Sequence, residues 1–186
     1  MTTDREDNRT SERPAGTGNA IGPIVSAAHL ADGEVPALSE LEFGMIMAFH
    51  AFQRWMVRCM AAAGQPGLAP LDVLVLHAVN HRGRPKTLAD LCLVLNVEDT
   101  HLVSYSLRKL EKAGLVRGGR KGKEKTATIT TRGAELCRRY RDIREELLVK
   151  TVRELGLSDE TLHRMAEQLR ILSGHYGQAA RAAAAL

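Results

Sequence analysis

From Ser39 onward the apolar residues fall into a helical rhythm. Leu41, Met45, Ala48, Phe52, Trp55 and Cys59 recur at spacings of three and four, the period that lines one face of an α-helix. Phe49, Met56 and Met60 add a second stripe, so this helix needs cover on more than one side. Ser39 as N-cap with Glu42 three residues on gives the capping-box pattern, and Gly64 and Pro66 end the helix.

Shorter elements follow. Pro70 opens a second helix, PLDVLVLHAVNHRG, closed near Gly83. Thr87 caps a short one, TLADLCLVLN, with Asp90 completing the box and Asn96 as a left-handed stop. Asp99 or Glu98 caps DTHLVSYSLRKLEKAG, which ends at Gly114. Two short helices joined by so tight a link form a helix-turn-helix. LVRG and KTATIT then read as strands around a GRKGKE loop, with Gly118, Gly119 and Gly122 loosening its tip. Along the second strand Ala127 and Ile129 point one way and Thr126, Thr128 and Thr130 the other, the period of a half-buried strand. A helix-turn-helix followed by a hairpin is a winged helix.

Thr131 is expected to cap a long helix with a seam of Leu136, Tyr140, Ile143 and Leu147. Gly156 breaks it, and Ser158 caps a last helix carrying Leu162, Met165, Leu169 and Leu172. Such seams want a partner helix. The predicted fold is mostly α with a small β-wing, a winged helix-turn-helix embedded in a helical dimerisation domain. Residues 1–37 have no apolar period and read as a disordered or loosely attached arm. Residues 38–68 and 132–186 form the helical dimerisation region, and 69–131 the DNA-binding domain.

Charge sharpens this picture. The chain of 186 residues has a net charge of +4, but residues 1–37 carry three Arg against six Asp/Glu, and residues 82–125 carry eleven Lys/Arg against five Asp/Glu. A localised basic region is the footprint of a nucleic-acid binder, though a solvated face has the same composition. The three cysteines, Cys59, Cys92 and Cys137, are scattered, which suits neither a disulfide framework nor a CxxC metal site. No apolar run reaches the roughly 18–20 residues needed to cross a bilayer, and the polar, acidic start lacks the pattern of a secretion signal. A cytoplasmic protein with no membrane role is the expectation. No Gly-rich phosphate loop, nucleophile elbow or paired-carboxylate motif is present, so an enzyme is not expected, and neither cofactor nor metal is.

LDVLVLHAV (71–79), TLADLCLVLNVEDTHLVSYSLRKLEKAGLVRG (87–118) and ITTRGAEL (129–136) together resemble the MarR family of bacterial transcriptional regulators. KLEKAGLV and the TxxG that opens the next helix are the most specific parts. The resemblance covers about residues 39–175. It implies a homodimer whose terminal helices interlock, binding double-stranded DNA at a pseudo-palindromic operator as a repressor or activator, often relieved by a small-molecule effector. Many members carry an Asp-x-Arg-Arg run at the wing. RGGRKGKEKT stands there in this chain, making Arg120 the nearest candidate for the minor-groove arginine and Glu124 the substitute for its supporting carboxylate.

The second helix of such a motif enters the major groove. Val103, Leu107 and Leu110 define its buried side, leaving Thr100, His101, Ser104, Tyr105 and Arg108 to meet bases and phosphates. Lys109, Lys112 and Arg117 are expected at phosphates or solvent, Arg120, Lys121, Lys123 and Lys125 form the wing set, and Thr87 adds a phosphate contact. Arg82, Arg84 and Lys86 form a satellite patch. A cleft between the helical region and the winged helix is a natural effector pocket, with Phe49, His50, Phe52, Trp55, His77 and Tyr140 as candidate lining. Each of these is also a plausible core residue. His77 and His81 share the i, i+4 spacing of a metal pair but lack further ligands nearby. Cys59, near a helix C-terminus where the dipole disfavours a thiolate, is a weak candidate for redox sensing. The competing reading is a winged-helix protein-interaction module whose basic face is merely solvated.

Overall fold

A computed structural model describes residues 22–186. Most of the expected N-terminal arm, residues 1–21, therefore lies outside the described residues. The described residues divide into two compact units, one ending at Ala51 and the other Phe52–Leu186.

The first unit contains a short 3-10 turn, Ala28–Leu30, and the first half of helix α1, Pro36–Ala62. Proline suits the opening turn of a helix because its missing N–H has no intrahelical partner there. That moves the start three residues ahead of the expected Ser39. Ser39 lies inside the first turn, where its hydroxyl donates to the Leu30 carbonyl.

In the second unit the remainder of α1 is followed by α2 (Pro70–Asn80), α3 (Leu88–Leu95) and α4 (Thr100–Lys112). The caps of α3 and α4 are those the sequence announces. The Thr87 hydroxyl accepts from Asp90 N–H at 3.1 Å while the Asp90 carboxylate accepts from Thr87 N–H at 2.9 Å. Asn96 closes α3 at φ +52°, and Asp99 Oδ1 accepts from His101 N–H at 2.8 Å to open α4. Val73, Leu76, Val79, Leu91, Val103, Leu110, Leu115 and Leu136 are fully or almost fully buried and fill the centre of this unit with Met56 and Met60.

The wing is a three-stranded antiparallel sheet in the order β1–β3–β2. The strands are β1 (Lys86–Thr87), β2 (Val116–Lys121) and β3 (Glu124–Ile129). Two details differ from the sequence reading. Lys86, expected in an outlying basic patch, is a strand residue paired with Ala127 and buried. The expected loop is mostly ladder. Arg120 pairs with Lys125 and Lys121 with Glu124, so only Gly122 and Lys123 make the turn. Gly122 has φ +63°, which suits the first central position of a two-residue hairpin turn whose twist matches that of its strands.

Helix α5 (Thr131–Arg144) continues through a π-helical turn at Glu145–Val149 into α6 (Lys150–Glu154), and α7 runs Asp159–Ala183 behind a Ser158 cap. Thr130, one residue earlier than expected, caps α5. Its hydroxyl oxygen accepts from Gly133 N–H at 3.0 Å, and the hydroxyl lies 2.8 Å and 3.0 Å from the Gly114 and Leu115 carbonyls. Gly133 is required there, because a Cβ would lie 2.1 Å from the Leu115 carbonyl oxygen. The TxxG signature is thus a cap and a close backbone approach in one.

Candidate nucleic-acid interface

The amphipathic pattern of α4 fixes which side chains it offers. Val103, Ser106 and Leu110 are buried and Leu107 is half-buried. The opposite face carries Thr100, His101, Tyr105 and Arg108 exposed and Ser104 half-buried, with Arg108 Nη1 donating to Ser104 Oγ at 3.3 Å. These residues lie on one helix surface, with α4 held from behind.

Ser106 and Lys109 hold it, and both reach Asp72 on α2. Ser106 Oγ donates to Asp72 Oδ1 at 2.7 Å and Lys109 Nζ to Asp72 Oδ2 at 2.6 Å. Asp72 Oδ2 also accepts from Ala69 N–H at 2.8 Å, capping α2. Burial by itself would raise the Asp72 carboxyl pKa, but the Lys109, Ser106 and Ala69 donors outweigh it, so the pKa lies below its ordinary value. The Lys109 ammonium, expected at phosphate or solvent, therefore faces an internal carboxylate. Sequence reasoning missed Asp72. Its only signal was an acidic residue at the third position of a helix, which reads as an ordinary cap.

On the wing, Arg117, Arg120, Lys121, Lys123 and Lys125 are all exposed, and none forms an ion pair with a described residue. Strand alternation puts Arg120 and Lys125 on the face of the hairpin that bears Val116 and Ala127, and Lys121 and Glu124 on the other. Glu124 therefore does not share Arg120's face and does not stand in for the missing aspartate. Like charges directly opposite each other, as Arg120 and Lys125 are, are unfavourable in an isolated sheet. A carboxylate does fix the wing, at its base. Glu111 Oε1 accepts from Gly118 N–H at 3.1 Å. A Cβ at Gly118 would lie 2.8 Å from that oxygen, and one at Gly119 would lie 3.1 Å from Thr126 Oγ1. These glycines serve close packing; only Gly122 needs the left-handed region. Thr87 is half-buried, with its oxygen engaged in the α3 cap.

A cleft of about 450 Å³ is lined by Phe52, Trp55, Met56, Leu74, His77, Asn80, Cys137, Tyr140 and the arginines 138, 141 and 144. Phe52, Trp55, His77 and Tyr140, four of the six candidate lining residues, are brought together there. Phe49 and His50 lie earlier on α1, both exposed and with ring centroids 6.2 Å apart, and are not among its lining residues. His77 packs edge-on against Tyr140, centroids 4.6 Å apart. Its Nε2 is buried with no hydrogen-bond partner among the described residues, and burial pushes its pKa below the usual histidine value. Arg138, Arg141 and Arg144 each pair with a neighbouring carboxylate, of Glu135, Asp142 and Glu145. His81 stands outside α2, exposed in a 3-10 turn. Cys59 is buried with its thiol 3.6 Å from the Tyr140 carbonyl, and burial raises its pKa. Burial likewise pushes Cys137 up to about 11, so neither thiol favours the reactive thiolate. Cys92 is half-buried.

Residues 68–133 match the model of the winged helix DNA-binding domain family. A MarR-family transcriptional regulator from Rhodococcus sp. RHA1 superposes with a TM-score of 0.56 at 15% identity, over 72% of this chain and 91% of its own. The fold is that of the MarR-family regulators. Two further solved structures share the MarR-type fold. CouR from Rhodococcus jostii RHA1, bound to p-coumaroyl-CoA, gives a TM-score of 0.57 at 14% identity, covering 71% of this chain and 90% of CouR. Staphylococcus aureus MarR, in complex with salicylate and kanamycin, gives 0.58 at 14% identity, covering 76% and 94%. No curated protein sequence matches the chain. In the MarR-type fold the Asp72 anchor, the recognition helix and the wing all fall within the family-matched segment. No helix among the described residues is long and apolar enough to cross a membrane.

Proposed function

We propose that this chain is a cytoplasmic MarR-family transcriptional regulator that binds double-stranded DNA. The observation that carries the reading is a wing of five exposed cations that form no ion pair among the described residues, beside a recognition helix whose polar face is open. The helix enters the major groove with Thr100, His101, Ser104, Tyr105 and Arg108. The wing follows the flanking backbone and minor groove, where arginine is drawn to the stronger negative potential of narrow A·T tracts.

The chain acts as a homodimer on a pseudo-palindromic operator. Leu41, Ile46, Met47 and Phe49 on α1, and Leu162, Met165, Leu169 and Ile171 on α7, are exposed apolar residues in one copy, and a two-fold partner would cover them. Such a dimer presents two recognition helices about 34–36 Å apart, one turn of duplex. The cleft around His77 takes a small effector that releases DNA. Its aromatic lining and an imidazole nitrogen with no partner among the described residues support this, as do the ligands bound to CouR and S. aureus MarR.

Recovery of bound fragments from the host genome, followed by gel shifts under a salt titration, tests the reading. It expects palindromic sites and a steep loss of affinity with salt. Absence of any shift on duplex would overturn it in favour of a protein-interaction module.

A further inference from the structure

Leu102 occupies the third position of α4 and is 51% exposed, although the residues on either side of it divide cleanly into a buried set and a polar set. The inward face is complete without it, since Val103, Ser106 and Leu110 are already buried. One turn on, at the i+3 position that adjoins it on a helix surface, stands Tyr105, 62% exposed. The other outward residues, Thr100, His101, Ser104 and Arg108, carry hydrogen-bonding groups. The N-terminal turns of the recognition helix therefore present an apolar ledge of one leucine and one aromatic ring at the margin of the polar face, on the side of Ser106 and Lys109.

A leucine cannot donate or accept a hydrogen bond, so it cannot read most base edges. The one apolar feature that base pairs project into the major groove is the thymine 5-methyl group. N-terminal residues of a recognition helix are those that meet base edges. Covering Leu102 with a methyl also removes apolar surface from water, which is favourable.

We infer that Leu102, backed by the Tyr105 ring, is a specificity-determining residue that reads a thymine methyl group in each half-site. The inference rests on the DNA-binding reading above. It concerns how a site is chosen, whereas that reading concerns whether duplex is bound.

The test begins with selection of preferred sites from a randomised duplex pool by the full-length protein. Each thymine of the selected site is then replaced in turn by deoxyuridine, which deletes the methyl and leaves every hydrogen-bonding group in place. One thymine per half-site should prove sensitive, its demethylation weakening binding roughly fourfold, the value expected for one buried methylene-sized group. Leu102→Ala should bind the parent site more weakly and show no further loss on that deoxyuridine duplex. Tyr105→Phe, which keeps the ring, should retain the methyl effect. A circular-dichroism spectrum and thermal midpoint of Leu102→Ala matching those of the wild type would confirm that the variant is folded. Wild-type protein indifferent to every deoxyuridine, or Leu102→Ala losing as much as wild type, would overturn the assignment. A pool that never enriches would overturn the regulator reading itself, and this contact with it.

Discussion

The Lys109 ammonium lies 2.6 Å from a carboxylate oxygen of Asp72, a residue only 2% exposed, and this contact ties the recognition helix to α2. The same carboxylate accepts from Ser106 of α4 and from Ala69 N–H at the start of α2. One side chain thus caps one helix and anchors another. Farther along, α2 contributes Leu74, His77 and Asn80 to the cleft. It therefore contributes both to the lining of the cleft and to the anchoring of α4.

Removing Asp72 should leave Ser106 and Lys109 facing a buried site with no acceptor. Loss of one partner of a buried pair costs about 3–5 kcal/mol; since Lys109 is itself about one-third exposed, solvent screens part of this and about 2–3 kcal/mol is expected for Asp72→Ala. Ser106→Ala, which leaves the carboxylate two other donors, should cost about 1 kcal/mol. Urea unfolding midpoints measure both. Because the carboxyl pKa is depressed in the folded state, its stabilising contribution is present above the unfolded value near 3.9 and lost as pH falls through the folded one. A shift of well under about 1 kcal/mol for Asp72→Ala would show that the anchor is incidental.

Gly133→Ala should be among the most damaging single-methyl additions in the chain. The new carbon would meet the Leu115 carbonyl oxygen at 2.1 Å and Ile129 Cδ1 at 2.7 Å. Both neighbours belong to the junction of wing and core, so relief requires backbone movement. Overpacking of this kind costs about 3 kcal/mol. Gly122→Ala changes only the turn and should cost about 1 kcal/mol, from its positive φ. Thermal unfolding of the two variants side by side checks the order; equal stability would refute the close-approach account.

Neutralising Arg120 and Lys121 together, for example to Gln, should weaken binding to every duplex alike. The slope of log affinity against log salt should flatten by roughly 0.9 for each phosphate contact removed. Glu111→Ala, which frees the Gly118 N–H at the base of the wing, should weaken binding without removing a cation, and should leave the slope nearly as steep. If the double neutralisation leaves the slope untouched, the wing does not meet phosphate.

His77 makes folding sensitive to mild acid. Burial lowers its pKa in the folded protein, so the unfolded chain binds the proton first as pH falls below about 6.5. Stability should therefore be constant above neutrality and decline through the window beneath it, by at most about 1.4 kcal/mol per pH unit. His77→Leu should flatten that part of the profile. Denaturation at pH 7.5, 6.5 and 5.5 is enough to see it, and parallel curves for the two proteins would rule out His77 as the cause.

The sequence by itself determined whatever depends on neighbours a few residues apart. Thr87 with Asp90, Asn96, Asp99, Gly114 and Ser158 mark helix ends because a cap is a bond between residues two or three positions apart, visible in the order of side chains. Helical period alone separated Val103 and Leu110 from His101 and Arg108. Ser39 misled because Pro36 sets its φ without any side-chain hydrogen bond, and the wing loop misled because its strand is nearly devoid of β-branched residues on the β2 side. What spans the fold only the tertiary structure decided. Asp72 meets partners 34 and 37 positions away, Gly118 N–H meets the Glu111 carboxylate seven positions away, and Trp55, His77 and Tyr140 share a cleft while Phe49 and His50, equally aromatic and on the same helix as Trp55, are not part of it. Local order cannot encode these outcomes, because each follows from where separate helices come to rest when their apolar faces are buried together.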